Sequence, residues 1–198
     1  YVEAFAALAA DGRPDVVEGG ARQRPRDADV HDQGPHRARG GEHALGSGDG
    51  GGGLAGFVEA NDVGLHEFAD LCRLIGAEPY VAVNTGKGGP ESAAELVEYA
   101  NGAATSPMGR RRAENGSSRP FGAKLWAVGN EMYGDWQIGH MPLEKYVEKH
   151  RKVVDAMRTV DPKVQPVAVG AVGDWSRTML GNASSHMTYI SEHLYWQD

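Results

Sequence analysis

LWAVGNEMYGDWQIGH, residues 125–140, sets a short apolar run directly against an amide and a carboxylate, Asn130 and Glu131. Apolar residues that stop at Gly129 read as a buried strand, and the polar residues after it sit where strands meet loops, the usual place for chemistry. A strand-end Glu is often only solvated, but the neighbours of Glu131 argue for more. Gly129 and Gly134 allow tight turns on either side of the acid, while Tyr133, Trp136, Gln137 and His140 add aromatic faces and hydrogen-bonding groups. Such a mixture suits a sugar, whose apolar faces stack on rings while its hydroxyls need donors and acceptors.

Helix and strand signals alternate on both sides of this strand, the pattern of a parallel α/β protein. Upstream, Leu65, Phe68, Cys72 and Ile75 recur at helical spacing with Gly76 placed to cap them, and PYVAVNTG predicts a buried strand over residues 80–84. ESAAELVEYANG predicts the next helix, and the stretch containing MGRRRAENGSSRP reads as a loop. Downstream, Leu143, Tyr146, Val147, His150, Val153, Val154 and Met157 form one helical stripe that starts behind Pro142 and stops at Asp161-Pro162. VQPVAVGAV predicts a further strand, a loop holding Trp175 follows, and TYISEHLY reads as the last strand. Cys72 and Trp126 are expected in the core, and His150 at its edge rather than as a ligand. Four strands after residue 78 with short right-handed connections fit either a doubly wound sheet or part of an eight-stranded barrel. In both, chemistry gathers at the C-terminal strand ends, which here are Asn84, Asn130 with Glu131, the segment around Gly170, and His193 with Tyr195.

The 198 residues carry a formal charge of -7 and a single cysteine. They offer no basic field for nucleic acid, and one cysteine supports neither a disulfide framework nor a cysteine zinc site. NTGKGG is not a phosphate loop, because Val81 stands where the first glycine belongs and no Ser or Thr follows Lys87. The histidines form no helical metal-binding pair, and no GxSxG elbow occurs. No cofactor and no metal are therefore expected, and paired-carboxylate chemistry remains. No run approaches the roughly 20 apolar residues that cross a bilayer, and no basic leader precedes AFAALAA. A membrane partner is not expected, and a cytoplasmic location is.

Composition changes abruptly near residue 54. No Phe, Tyr or Trp lies between Phe5 and Phe57, and large aliphatics are sparse there, so this part cannot offset its ordering entropy by burial. Two parts are expected. Residues 1–56 are Gly/Arg-rich and read as disordered, above all over 11–53, or as the product of a shifted reading frame; residues 57–198 hold the α/β pattern. GSGDGGGG at 46–53 reads as a flexible linker.

WAVGNEMYGDWQIGHM resembles the acid/base region of glycoside hydrolase family 51, the α-L-arabinofuranosidases. Asn-Glu at a strand end is shared by a whole clan of retaining glycosidases, and the continuation GDWQIGH narrows the resemblance to this family. VEANDVGLHEF, GAEPYVAVNTG, NGSSRPFGAKLW and SEHLY agree with it in order. Over residues 57–198 the resemblance implies a partial (β/α)8 barrel, roughly strands 3 to 6 with their helices, and hydrolysis of terminal α-L-arabinofuranosyl groups with retention of configuration. Glu131 then matches the general acid/base, whose carboxyl pKa has to be raised by its surroundings. Asn130 matches the residue that hydrogen-bonds the hydroxyl next to the reacting carbon, His193 and Tyr195 match one wall of the sugar site, and Asn84 and Trp136 are further expected substrate contacts.

The implied partner is an arabinose-containing oligosaccharide or polysaccharide, and the resemblance is compatible with a homo-oligomer of the full-length protein. A retaining glycosidase needs a second carboxylate about 5–5.5 Å from the first. The family carries it on the seventh strand, which is expected after Asp198, and a whole barrel takes roughly 250 residues. The chain alone is therefore expected to be weakly active or inactive. Two other readings stay open, a clan relative acting on β-galactosides, xylosides or glucans, and a carbohydrate-binding remnant without catalysis.

Overall fold

Strands form where apolar residues run without interruption, and each of the four expected after residue 78 is present. A computed structural model describes residues 4–7 and 63–194 of the chain. The expectations for residues 11–53, the linker at 46–53 included, and for Tyr195 lie outside the described residues. Of the two compact units into which the chain divides, residues 1–12 with 63–198 form one, and the other, 13–62, also lies outside them.

The elements in chain order are β1 (Ala4–Ala7), α1 (Leu65–Ile75), β2 (Glu78–Val83), α2 (Pro90–Asn101), α3 (Pro107–Glu114), β3 (Leu125–Val128), α4 (Leu143–Val160), β4 (Gln165–Val169), α5 (Asp174–Ala183) and β5 (Tyr189–Ser191). They build one sheet in the order β1-β2-β3-β4-β5. The last four strands are parallel, with Val81 opposite Trp126, Leu125 opposite Gln165, and Val167 opposite Tyr189. The parallel α/β architecture is as expected. β1 is not, and its backbone pairs antiparallel with β2, Ala4 opposite Val81.

Alternation along the strands separates two faces. Val81, Val83, Trp126 and Val128 pack with Ala93, Val97 and Ala100 of α2 and Val153, Val154 and Met157 of α4 into the main core. Tyr80, Ala82 and Ala127 turn to the other face and line a cavity there. Gly76 ends α1 in the left-handed conformation at φ 70°, and Cys72 is buried as expected. The stripe on α4 is also as expected, with Tyr146, His150, Val153, Val154 and Met157 fully buried.

Two stretches read as loops are helices. α3 occupies PMGRRRAE, where Ser106 caps the first turn by accepting from Gly109 N–H and Pro107 opens the helix. It has no apolar stripe, because its buried face is Gly109 and the guanidinium-bearing Arg112. α5 surrounds Trp175 and buries only Met179 and Ala183. Arg112 is completely buried and donates to the carbonyls of Tyr99 (2.7 Å), Gly102 (2.8 Å) and Ser117 (3.1 Å), which ties α3 to the end of α2.

His150 lies deeper than the core's edge where the sequence reading put it, with no exposure, and its Nε2 faces the carbonyl of His186 at 3.0 Å. Burial pushes its pKa down to about 4, against the opposing pull of that carbonyl. An unfolded histidine titrates near 6.5. As pH falls from about 6.5 to 4, the unfolded chain therefore takes up a proton that the folded chain refuses, and stability falls across that window. The expected loss from this one group is about 2–4 kcal/mol by pH 4. Melting temperatures between pH 7 and 4.5 check it, because His150→Gln should flatten the slope. A variant whose slope matches the parent's would show that His150 is not the cause.

Candidate active site

β3 delivers its last residue, Val128, to Gly129, whose φ of 86° and crowded surroundings admit no side chain. A Cβ there would stand 2.1 Å from Thr85 Oγ1 and 2.9 Å from Met132 Cγ. Glu131 follows at φ 44°, the one non-glycine residue in the left-handed region among the described residues. Such a backbone costs an L-residue roughly 1–2 kcal/mol. The turn is held by Gly134 N–H donating to Glu131 O (2.8 Å) and Met141 N–H donating to Met132 O (3.0 Å). Strained, over-determined backbone of this kind collects at functional sites.

The Glu131 carboxyl is held at both oxygens and its side chain is 12% exposed. Trp136 Nε1–H donates to Oε2 at 2.8 Å, and His193 Nδ1 lies 2.8 Å from Oε1, donating in the tautomer that suits a carboxylate. His193 belongs to the segment after β5, so this contact joins two neighbouring regions of the strands' C-terminal edge. Beside it lies a cavity of about 270 Å³ lined by Tyr80, Asn130, Glu192 and His193 among others.

The structure thus brings Glu131, Asn130, His193 and Trp136 together. Trp136 is 65% exposed, so its ring face is available while its nitrogen holds the acid. Trp126 is fully buried, as expected of a core residue. Asn84 stands apart. It is exposed, does not line the cavity, and its Oδ1 accepts from Gly86 (3.0 Å) and Lys87 (3.2 Å) N–H, shaping the loop after β2. Glu192, the carboxylate that lines the cavity, accepts from the Ser176 hydroxyl at the start of α5.

Tyr80 escaped the sequence reading because it lies inside a strand. The alternation of PYVAV gave a signal, since Val81 and Val83 on the core face leave Tyr80 and Ala82 on the other. Burial pushes the Tyr80 phenol up to about 12, so it stays a neutral hydroxyl at the cavity wall. A larger cavity of about 380 Å³ lies at the opposite end of the strands, around Asn101, Lys124 and Asp161, away from this constellation. Among the described residues no three His, Cys, Asp or Glu side chains gather as a metal ligand set.

The loop carrying Trp136 rests on the loop after β2 through two glycines. A Cβ on Gly139, at φ 81°, would stand 2.4 Å from Gly86 Cα, and one on Gly86 would stand 2.3 Å from Ile138 O. Lys149 of α4 holds the same loop by donating to Thr85 O. Gly139→Ala is expected to cost about 1–3 kcal/mol, since backbone rather than a flexible side chain must give way. Urea denaturation checks this, and an alanine variant as stable as the parent would mean the two loops are not in contact.

Comparison with known proteins places these features in one group. The family model described as the α-L-arabinofuranosidase 1 domain matches residues 50–198. An intracellular exo-α-(1→5)-L-arabinofuranosidase of Streptomyces lividans is 40% identical over 149 residues, which are 71% of this chain and 22% of that protein. An exo-α-(1→6)-L-arabinofuranosidase of Bifidobacterium longum is 38% identical over 147 residues, 70% of this chain and 28% of its own length. The crystal structure of the Thermotoga maritima α-L-arabinofuranosidase arabinose complex superposes with a TM-score of 0.66 at 37% identity, covering 68% of this chain and 28% of that one. A family 51 enzyme structure from B. longum gives a TM-score of 0.65 at 34% identity. The chain therefore spans between a fifth and a third of the length of these relatives.

Proposed function

Because the chain belongs to the α-L-arabinofuranosidases of glycoside hydrolase family 51, we propose that it carries the acid/base half of a retaining arabinofuranosidase site. The observation that supports this is the Glu131 carboxyl at the end of β3, held between Trp136 and His193 beside a cavity that Asn130 lines. The four parallel strands are then strands 3 to 6 of a (β/α)8 barrel, and the cavity face of the sheet is the barrel's inner face.

In the first step, Glu131 gives its proton to the glycosidic oxygen as the second carboxylate attacks the arabinofuranosyl carbon and the glycosidic bond breaks. In the second it takes a proton from water, which attacks the same carbon and releases the second carboxylate. One carboxyl serves both roles because its charge alternates between steps. Trp136 Nε1–H and His193 Nδ1 each stand within hydrogen-bond reach of one of its two oxygens. Asn130 holds the neighbouring hydroxyl, and His193 orients Glu131. The second carboxylate, which must lie about 5–5.5 Å away to attack the sugar, comes from a later strand than β5. Glu192 is occupied with Ser176 and is not assigned that role. The substrate is a terminal α-L-arabinofuranosyl group of an oligosaccharide or polysaccharide, and the site of action is intracellular, as in the relatives' names.

Calorimetric titration of the chain with arabino-oligosaccharides, beside a panel of aryl α-L-arabinofuranosides, β-xylosides and β-galactosides, tests the assignment. Binding or turnover confined to arabinofuranosides is expected. Equal handling of a β-glycoside would overturn the substrate class, and binding without turnover after supplying the missing strands would make this a carbohydrate-binding remnant.

A further inference from the structure

β3 and β4 pair as far as Ala127 and Val167, and beyond that point a side chain takes over. Tyr146 of α4 is completely buried, and its hydroxyl donates to Val128 O (2.7 Å) while accepting from Val169 N–H (2.9 Å). The phenol oxygen thus occupies the place of a backbone rung between two strands that have begun to part. Its ring stacks on Trp175 (centroids 5.6 Å apart, planes at 27°), and Trp175 Nε1–H donates to Val169 O at 2.9 Å. Both backbone groups of Val169 are therefore held from this one cluster. Val128 is the residue that hands the chain to Gly129, Asn130 and Glu131, where the left-handed turn begins.

A helix can supply such a rung only from a position facing the sheet at the strands' C-terminal edge. Tyr146 lies one turn into α4 and meets that requirement; the core residues of the same stripe, Val153, Val154 and Met157, pack lower against β2 and β3. A phenylalanine would fill the same volume. A hydroxyl there needs another reason, and the two hydrogen bonds at the strand ends supply it.

We propose that Tyr146 is a positioning residue for the acid/base, its hydroxyl bridging the diverging ends of β3 and β4 and so fixing the backbone from which Glu131 turns toward Trp136 and His193. This deepens the reading of Glu131 as acid/base and rests on it.

The indole N–H signals of the ¹⁵N-labelled chain give a direct readout, because two of them report opposite ends of β3. Trp136 Nε1–H is bonded to Glu131 Oε2, whereas Trp126 Nε1–H is bonded to Ala123 O before the strand begins. Tyr146→Phe keeps the ring stack and removes only the hydroxyl. It is expected to shift the Trp136 signal and to speed its exchange with solvent several-fold, and to speed exchange of the Val169 amide, with the Trp126 signal unmoved. Faster Val169 exchange with an unmoved Trp136 signal would reduce Tyr146 to a structural strut and overturn the proposal. Equal movement of Trp126 and Trp136 would do the same, by showing general loosening.

Should the phenylalanine chain not fold, 3-fluorotyrosine placed at 146 keeps ring and hydroxyl while sharpening the donor. It should move the Trp136 signal without touching Trp126, and no movement counts against the bridge. The underlying reading is checked separately. Glu131→Gln must move the Trp136 signal, and if it does not, the Glu131 contact is at fault rather than Tyr146, whose bridge the Val169 amide still reports.

Discussion

Arg112→Met is expected to lower the stability of the chain by about 3–5 kcal/mol, a large share of the roughly 5–15 kcal/mol that a domain possesses. Methionine keeps much of the length and the helix propensity of arginine, so neither a large cavity nor a weakened α3 explains such a loss. What disappears is a fork of donors. Nη1 serves Tyr99 O and Gly102 O while Nε serves Ser117 O, carbonyls from the last turn of α2, the residue after it and the segment that follows α3. Phe121, whose ring the guanidinium overlies at 5.9 Å, loses its cationic neighbour as well. Arg112→Lys should fall between, because one ammonium cannot span carbonyls that a planar guanidinium reaches in two directions. Urea titrations at unchanged m-value measure the difference. A methionine variant within about 1 kcal/mol of the parent would mean that water satisfies those carbonyls as well as Arg112 does.

Glu131→Gln is expected to reduce kcat/KM about 10²–10⁴-fold on arabinosides whose leaving group needs a proton, measured in a form of the protein that holds both carboxylates. The loss should be smaller for the first step on an aryl arabinofuranoside, since a phenolate leaves without protonation. Glutamine keeps an oxygen for the Trp136 indole and roughly the shape of the turn, so the comparison isolates the proton. A uniform loss on both substrates would point to lost binding instead. Turnover by residues 1–198 alone, abolished by Glu131→Ala, would show that the second carboxylate lies within the chain.

β2 to β5 and α1, α2 and α4 were legible in the sequence because their residues obey one rule each. Val81 and Val83, or Tyr146 through Met157, are apolar where the period of strand or helix puts the core. α3 broke the rule. It buries an arginine, and Arg110, Arg111 and Arg112 in succession leave no apolar stripe, so the stretch reads as a loop. α5 buries too little to show a stripe. In the site, Asn130, Glu131 and His193 were legible because strand ends gather polar groups. Asn84 obeyed the same rule, and its Oδ1 also shapes its own loop, since an Asn two residues before a glycine readily accepts from the backbone beyond it. The Tyr146 bridge was hidden, because a tyrosine on an apolar helical stripe gives no hint of what its oxygen meets.

The sheet's strand order follows the chain, each parallel strand pairing with the one made just before it. Such neighbour-to-neighbour pairing keeps loop closure short, so a growing chain leaving the ribosome can add one strand and helix at a time to a docked edge. The contact between Glu131 and His193 spans 62 positions and must wait until β5 has docked. During synthesis the acid and its turn are therefore made well before the histidine that completes their hold.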